Sequence, residues 1–296
     1  MLSIDVFDLR NKSVVKEKVY GGKLLRIFYA TFPLNFFVSL SWVQKIVSVF
    51  VGIYKRSSWS RKQILPFIHQ YEMNLDEFVV PQEGFQNFNE FFIRQKKEII
   101  FSNEENIFSS PCEARLVASR FEDSIPRLKV KGKEILLPAL LGPFQNKLPQ
   151  KGWALTFRLC PLDYHRFHFF DSGIADEAFK LGTKLDSVNP WALESKPRIF
   201  EWNERQITLF HSDHFGDVFY IEVGALCVGR IHQTYESGKL LKKGQEKGFF
   251  DFGGSTVVLI VSDGQKKLEL DPLVLSQNAL GVEVLVRLGD NLGRWV

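Results

Sequence analysis

The sequence predicts an α+β protein, with a helical segment over residues 1–104 and a β-rich domain over residues 105–296. From about residue 105 the chain consists of short runs rich in β-branched and aromatic residues, such as "WALTFRLC" and "STVVLIVS", which Gly, Pro, Asn and Asp separate. Before that point the longest apolar stretch shows helical periodicity. Many short strands with few helical patterns indicate barrel-like or sandwich-like sheets.

The apolar stretch at residues 34–54, "LNFFVSLSWVQKIVSVFVGIY", predicts an amphipathic helix. It is long enough to raise the question of a membrane span, but Lys45 lies at its centre, where a lysine costs about 2.5–3.5 kcal/mol on insertion scales. One helical face is large and apolar: Phe36, Leu40, Val43, Val47, Phe50 and Tyr54. The other face carries Ser41, Lys45, Ser48 and Gly52. Lysines and arginines flank the stretch, which favours a helix lying flat on an anionic bilayer, with a core helix as the alternative.

The composition excludes some function classes. The net charge is only +4 and no dense basic stripe or nucleic-acid-binding motif occurs, so no nucleic acid is expected as a partner. Three scattered cysteines indicate unpaired thiols in a reducing compartment. The start "MLSIDVFDLRNKS" resembles neither a secretory signal nor a transit peptide, so we expect a cytoplasmic protein. The 28 phenylalanines exceed the need of an ordinary soluble core and suggest an apolar surface.

The stretch "GFFDFGGSTVVLIVS", residues 248–262, allows two interpretations. Gly253-Gly254 between apolar runs is typical of a hairpin turn. Alternatively, the hydroxyl of Ser255 can attack the carbonyl of Gly254, which no side chain shields, to form an ester. Removal of the α-proton of Ser255 would then break the ester by elimination and leave a pyruvoyl group. This chemistry needs a base, a carboxylate that orients the base, and donors for the carbonyl oxygen.

Two pairs of histidines are candidates for such chemistry or for a metal. His165 and His168 lie within "CPLDYHRFHFFDSG"; their spacing places them on one face of a helix, or on opposite faces of a strand. His211 and His214 could join them as metal ligands, which would need a suitable carboxylate and a common location in the fold. No Walker A loop, dinucleotide fingerprint or nucleophile elbow occurs.

Several segments, taken together, resemble the phosphatidylserine decarboxylases, which are pyruvoyl-dependent and self-cleaving. The matching segments follow the family's order from residue 85 onward: "FNEFFIR", "SPCEARLVAS", "DYHRFH", "SVNP", "NER", "FGDVFYIEVGALCVGRI" and "KGQEKGFFDFGGSTVV". The combination of the His-x-x-His segment with the Gly-Ser-Thr ending is specific, although no single motif is.

The resemblance implies cleavage between Gly254 and Ser255 into fragments 1–254 and 255–296, which stay associated. It implies that Ser255 becomes a pyruvoyl group, on which phosphatidylserine forms a Schiff base, loses carbon dioxide and leaves as phosphatidylethanolamine. It assigns His168 to the self-cleavage relay with Ser255, and His165 is the candidate proton donor in decarboxylation. Glu113 is the candidate relay carboxylate.

The chain departs from the family at Glu113-Ala114, where Asp-Gly is usual. A glutamate is one methylene longer, and alanine does not freely adopt positive φ, so we expect a locally different relay geometry.

The resemblance also implies a peripheral protein on the cytoplasmic face of a bacterial membrane, with phosphatidylserine and the anionic membrane surface as partners; a homo-oligomer is compatible with it. It implies no metal. Two rival interpretations are a metal-dependent hydrolase at the membrane surface, using His165, His168, His211 and His214, and a non-catalytic membrane-binding module in which Gly253-Gly254 is only a turn.

Overall fold

The computed structural model describes residues 3–18, 41–122, 127–130, 133–184, 199–224, 230–253, 255–264 and 267–296. The helices are α1 (Ser41–Arg56), α2 (Ile64–Tyr71), α3 (Phe88–Phe92), α4 (Leu137–Leu141), α5 (Ile199–Trp202) and α6 (Pro272–Ala279), with 3₁₀ turns at Ser58–Gln63 and Gly142–Lys147.

The strands are numbered in chain order. They are β1 (Ser3–Asp8), β2 (Ser13–Lys18), β3 (Ile107–Ser109), β4 (Ala114–Phe121), β5 (Arg127–Val130), β6 (Lys133–Leu136), β7 (Gly152–Leu159), β8 (Arg166–His168), β9 (Gly173–Ala175), β10 (Phe179–Leu181), β11 (Arg205–Ser212), β12 (Gly216–Gly224), β13 (Ile231–Gln233), β14 (Leu240–Leu241), β15 (Glu246–Phe250), β16 (Ser255–Ser262), β17 (Leu268–Leu270), β18 (Glu283–Val286) and β19 (Asn291–Trp295).

One large sheet organises the protein. Its eleven strands run in the order β14-β9-β11-β12-β16-β7-β4-β18-β1-β2, with β10 paired to β11 outside this path. Three smaller sheets accompany it, β13-β15-β8, β17-β19-β3 and β5-β6. Strand β16 lies in the interior of the large sheet, and its residues from Ser255 to Val261 are all buried. The predicted α+β class with a β-rich domain is confirmed.

The amino terminus contributes a hairpin that the sequence did not predict. Strands β1 and β2 pair along six residues, and β1 pairs in parallel with β18 near the carboxyl terminus. Residues 3–18 therefore belong to the large sheet, although we expected a helical segment throughout residues 1–104.

The amphipathic helix is present as α1, and its apolar side is exposed. Residues 34–40, including Phe36 and Leu40, lie outside the described part of the chain, as do the side chains of residues 41–47. On the described part, Ser48, Gly52 and Lys55 are buried. The exposed apolar residues of α1 are Val49, Phe50, Ile53 and Tyr54. The small and polar face of the helix thus contacts the protein. Within the described residues, no helix is long and apolar enough to cross a membrane.

The strands on either side of Gly253-Gly254 do not pair with each other. Strand β15 pairs with β8 and β13 in a small sheet, whereas β16 pairs with β12 and β7 in the large sheet. The chain therefore passes from one sheet to another between β15 and β16, and these two strands do not form a hairpin. Gly253 has φ +150°, a conformation that favours glycine.

Candidate active site

Ser255 occupies a buried position between two neighbouring strands. It is the first residue of β16 and pairs with Gly224 of β12 and Leu159 of β7. Its side chain is fully buried, and none of the described residues hydrogen-bonds to its Oγ atom. A buried hydroxyl without a partner is costly, and such groups in native proteins call for an explanation such as chemistry. Gly254, on the other side of the expected cleavage point, lies outside the described residues.

His165 lies in the connection that follows β7. This connection begins directly after Leu159, the residue of β7 that pairs with Ser255. Its carbonyl oxygen accepts a hydrogen bond from the amide of Phe250, 3.0 Å away, on the strand that leads to the glycines. Its ring lies 3.8 Å from the ring of Phe92, centroid to centroid, and Phe92 also contacts Phe252 at 5.1 Å. The imidazole of His165 therefore packs against Phe92, which in turn packs against the segment that precedes Ser255.

The hydrogen bonds of His165 define which nitrogen is basic. Its Nδ1 lies 2.9 Å from the carbonyl oxygen of Asp163, and because a carbonyl only accepts, Nδ1 carries the proton. Its Nε2 then presents a lone pair, and it is buried without a hydrogen-bond partner among the described residues. Burial lowers the pKa of His165 to about 3, so the ring is neutral at neutral pH. This is a neutral base with a free acceptor nitrogen.

His168 is held more tightly. Its Nδ1 donates to the carbonyl oxygen of Gly244 at 2.9 Å, and its Nε2 lies 3.3 Å from the hydroxyl of Tyr164. Burial lowers the pKa of His168, against the opposing effect of the Gly244 carbonyl. Its backbone amide donates to the carbonyl of Pro111 at 2.8 Å. The last contact joins His168 to the turn that carries Glu113.

Glu113 ends that turn, immediately before β4. Its side chain is 21% exposed, and its described ionic contact is with Lys96, at 3.9 Å. Burial raises the pKa of Glu113, and the nearby charge of Asp163 adds to this effect, while Lys96 and Arg94 oppose it. The structure thus brings the Glu113 turn to the backbone of His168, and no direct contact between the two side chains is described. Ala114 is not among the described residues with positive φ and begins a regular strand, so alanine is not strained there.

A family model described as phosphatidylserine decarboxylase matches residues 85–294. The chain is 40% identical over 298 residues to the phosphatidylserine decarboxylase proenzyme of Clostridium novyi (strain NT), which covers 98% of this chain and 99% of that protein. It is 39% identical to the proenzyme of Ruminiclostridium cellulolyticum over 298 residues (99% of this chain, 98% of that protein), and 38% identical to that of Clostridium kluyveri over 294 residues (98% of each). The chain belongs to the phosphatidylserine decarboxylase family.

Membership of the phosphatidylserine decarboxylase family confirms the family that the motifs predicted. It also confirms the predicted activity, a carboxy-lyase that converts phosphatidylserine to phosphatidylethanolamine. The relatives are named as proenzymes, which fits a chain that is processed before it acts. Neither rival interpretation gains support from these matches.

The second histidine pair of this phosphatidylserine decarboxylase is engaged by acidic residues away from Ser255. His211 Nδ1 lies 2.7 Å from a carboxylate oxygen of Asp217, and His214 Nδ1 lies 2.9 Å from one of Asp171. Both contacts raise the histidine pKa values. In the part of the chain that the structure describes, no group of three or more potential ligands converges on a metal position.

A buried ionic cluster lies on the other side of the large sheet. Arg115 pairs with both Asp163 and Glu17, and Arg158 pairs with Glu283 and contacts Glu17 at 3.4 Å. Side chains of Arg115 and Arg158 point to the face of the sheet opposite Ser255, because successive residues of a strand alternate. The cluster fixes Asp163, whose carbonyl orients His165.

Sequence reasoning missed two residues that hold the chain upstream of Ser255. The side chain of Asn89, on α3, donates to Asp251 at 3.0 Å and accepts from the amide of Phe252 at 2.9 Å. The helix cap is Asn87, which accepts from the amide of Glu90, so Asn89 is free for this tertiary role. The signal is present in "FNEFF", where Asn89 and Glu90 lie among three phenylalanines.

Proposed function

We propose that this decarboxylase makes its own pyruvoyl group from Ser255 by cleaving the chain after Gly254. The observation that carries the proposal is the buried hydroxyl of Ser255, which has no hydrogen-bond partner among the described residues and begins β16 where the chain passes from one sheet to another. A hydroxyl without a partner and closed off from solvent is available to attack the preceding carbonyl.

The chemistry needs one water molecule and no other reagent from outside the chain. The Ser255 Oγ atom bonds to the carbonyl carbon of Gly254, the C–N bond of the peptide breaks, and the hydroxyl proton passes to the nitrogen, which leaves an ester and a free amine on residue 255. A base then takes the α-proton of Ser255 and the Cβ–O bond breaks, which leaves a carboxylate on Gly254 and a dehydroalanine at residue 255. Water converts the dehydroalanine to a pyruvoyl group and releases ammonia.

The residues present fit a pyruvoyl group at position 255. Burial at this position excludes bulk water, and the backbone ladder to Gly224 and Leu159 fixes the orientation of the residue. When formed, the group supplies an electron sink for loss of carbon dioxide from an amine-bearing substrate.

We assign His168 and Glu113 to self-cleavage and His165 to the decarboxylation step. The support for His168 is its backbone bond to Pro111, which joins it to the Glu113 turn. The support for His165 is its free Nε2, which can accept a substrate proton and return it later. A low pKa makes the protonated ring a strong acid, which suits the return of a proton to carbon.

Intact-mass spectrometry of purified protein tests the cleavage. We expect two fragments that correspond to residues 1–254 and 255–296, the second with a pyruvoyl terminus in place of an amine. Ser255→Ala should give one uncleaved, inactive chain. A functioning parent enzyme found as a single chain, or a small fragment that begins with an ordinary amine, would contradict the proposal.

Single histidine variants test the division of roles. We expect His168→Ala to remain uncleaved and His165→Ala to cleave but fail to release carbon dioxide. If His165→Ala instead remains uncleaved, its free Nε2 is the base for self-cleavage and our assignment is reversed. Glu113→Gln and Glu113→Asp separate charge from length: slow cleavage in the glutamine variant alone supports a carboxylate in the relay.

The fold supports continued association of the two fragments. Residues 255–296 include β16, which pairs with β12 and β7 inside the large sheet, and β18, which lies between β4 and β1. Removing the small fragment would therefore split the sheet at two places. We expect the cleaved protein to elute as one species on size-exclusion chromatography and to separate only in denaturant.

We further propose that the protein acts as a peripheral enzyme on the cytoplasmic face of an anionic membrane. The exposed apolar side of α1 is followed along the chain by Trp59 and Leu65, which are 75% and 66% exposed. These two side chains line one surface hollow together with Arg61 and Lys62. Large apolar residues next to basic ones are typical of a helix at the bilayer interface. This face also suits a substrate whose acyl chains remain in the bilayer.

Vesicle flotation tests the membrane contact. Phe50→Ser with Trp59→Ser should bind phosphatidylglycerol vesicles at least about tenfold more weakly, because each loses the burial of a large side chain. Leu280→Ser, which removes another exposed apolar side chain outside this surface, is the matched control and should bind normally. Equal binding of all three proteins would reject this surface.

A further inference from the structure

The connection from β15 to β16 depends on side chains for its position. Because the two strands belong to different sheets, the residues between them leave one hydrogen-bond ladder before they enter the next. Asp251 continues the first ladder through its amide, which donates to the carbonyl of Arg230 at 3.0 Å. The amide of Phe252 is bound instead by the side chain of Asn89.

The carboxylate of Asp251 receives side chains from three separate elements. Asn89 of α3 donates to Oδ1 at 3.0 Å, and His232 of β13 contacts Oδ2 at 3.1 Å. Arg56, the last residue of α1, lies 3.4 Å from Oδ2 through Nη1. Burial raises the pKa of Asp251, but the contacts with His232, Asn89 and Arg56 outweigh it and the pKa is lowered. The carboxylate is therefore ionised at neutral pH.

The end of α1 contacts the same segment a second time. Lys55 Nζ lies over the ring of Phe252 at 4.2 Å and over that of Phe88 at 3.8 Å, and it donates to Gln63 at 2.6 Å. Lys55 is buried, although basic flanking residues were expected to face the bilayer. The two terminal residues of α1 thus contact the two residues that lie three and four positions before Ser255.

We propose that Asp251 is a positioning residue for self-cleavage, and that through Arg56 it links the placement of the chain before Ser255 to the seating of α1 on the bilayer. The inference rests on the proposed self-cleavage. The attack on the Gly254 carbonyl requires a fixed geometry, and displacement of a reacting group by about 1 Å can cost on the order of a hundredfold in rate. Helix α1 is the element whose opposite side carries the exposed apolar residues, so contact with lipid acts directly on the helix that holds Asp251.

Cell-free synthesis tests this inference, because it starts from the uncleaved full chain. Cleavage is followed over time by gel and mass spectrometry, without lipid and with vesicles of phosphatidylglycerol, an anionic lipid that lacks the serine head group. We expect the parent to cleave several-fold faster on these vesicles than without lipid. Asp251→Asn, which keeps the shape but removes the charge, should cleave roughly tenfold to a hundredfold more slowly in both conditions.

Variants of Arg56 separate the link from a general loss of fold. Arg56→Gln should cleave at the same rate with and without vesicles, whereas Arg56→Lys should recover the response to vesicles. Arg294→Gln removes an exposed cation of β19, outside the proposed membrane surface and without a described contact to Asp251, and it should respond as the parent does. Thermal melts of the uncleaved forms identify any variant that has lost its fold.

The outcomes distinguish this inference from the proposed function. A parent that does not respond to vesicles, an Arg56→Gln variant that responds normally, or an Asp251→Asn variant that cleaves at the parental rate would each overturn it, even though cleavage itself still occurs. Failure of the parent to cleave under any condition would instead refute self-cleavage.

Discussion

Replacing Lys247 by methionine should strongly destabilise the protein, because it isolates a buried carboxylate. Lys247 Nζ donates to Glu222 at 2.7 Å, to Gln233 at 2.8 Å and to Thr208 at 3.0 Å, and both charged side chains are fully buried. Burial raises the pKa of Glu222 and lowers that of Lys247, and each charge opposes this effect on the other.

The magnitude follows from the burial of the pair. Removal of one partner of a buried ion pair costs about 3–5 kcal/mol, since the remaining charge is left uncompensated. At roughly 2–4 °C per kcal/mol for a chain of this order of size, the melting temperature should fall by about 6–20 °C. The double variant Glu222→Gln with Lys247→Met should recover most of this loss, because it leaves no buried charge.

Thermal unfolding at neutral pH, in the uncleaved Ser255→Ala background, measures the effect on a single chain. Lys242→Met is the matched control, because Lys242 is an exposed lysine on the same stretch, and it should melt within about 0.5 kcal/mol of the parent. The reasoning fails if Lys247→Met melts like this control, or if the double variant is as unstable as the single one.

Three further predictions concern the sheet and the crossing. Arg115 and Arg158 lower the pKa of Glu17 to about 2, although burial raises it. The contribution of Glu17 to the free energy of unfolding is therefore complete above pH 4.5 and is lost as the pH falls towards 2. In denaturant titrations at several pH values, Glu17→Gln should be less stable than the parent at pH 7 and should lose less stability on acidification. Gly253→Ala should slow cleavage in the cell-free assay because φ is +150°, whereas Gly264→Ala, which faces open space, should not; equal rates would contradict this. Asn278→Ala should cost about 1–3 kcal/mol in denaturant unfolding, because its side chain accepts from the amide of Ala118 at 2.8 Å, and an unchanged midpoint would refute that role.

The central strands were predictable because their sequences carry strong local signals. "WALTFRLC" and "STVVLIVS" correspond to β7 and β16, which pair with each other and are buried on both faces. Continuous apolar runs of this length favour interior strands. Which strands neighbour each other was not predictable, because pairing joins residues far apart in the chain and leaves no local pattern.

The elements that the sequence did not predict depend on distant partners. Strand β2 reads "SVVKEK", a mostly polar stretch, and its Glu17 is buried only because it meets the arginines of β4 and β7. Helix α6 is the exception, because its signal is local: Asp271 accepts from the amide of Leu273 as the cap, and Pro272 occupies the first turn. An Asp-Pro start before an eight-residue helix is recognisable from sequence.

The site shows the same division between local and distant information. The residues proposed to carry the chemistry, Ser255, His165 and His168, lie in motifs that sequence alone singles out. Asp251 and Asn89 become significant only once α3 meets the segment that follows β15. The pairing of Lys247 with Glu222 likewise joins β15 to β12.

The departure at Glu113-Ala114 shows how a backbone argument from sequence can be corrected by the fold. A glycine in a turn suggests positive φ, and alanine would then be strained, but Ala114 is the first residue of β4 and pairs with Val286 in a regular ladder. The substitution therefore places no strain on the backbone, and the longer glutamate is the only difference that remains. The Glu113 carboxylate lies 3.9 Å from the ammonium group of Lys96. Lys96 also donates a hydrogen bond to Glu77 at 2.7 Å. We expect this contact to hold the Glu113 carboxylate away from the proposed relay, so Lys96→Met should accelerate cleavage in the cell-free assay, and an unchanged rate would contradict this.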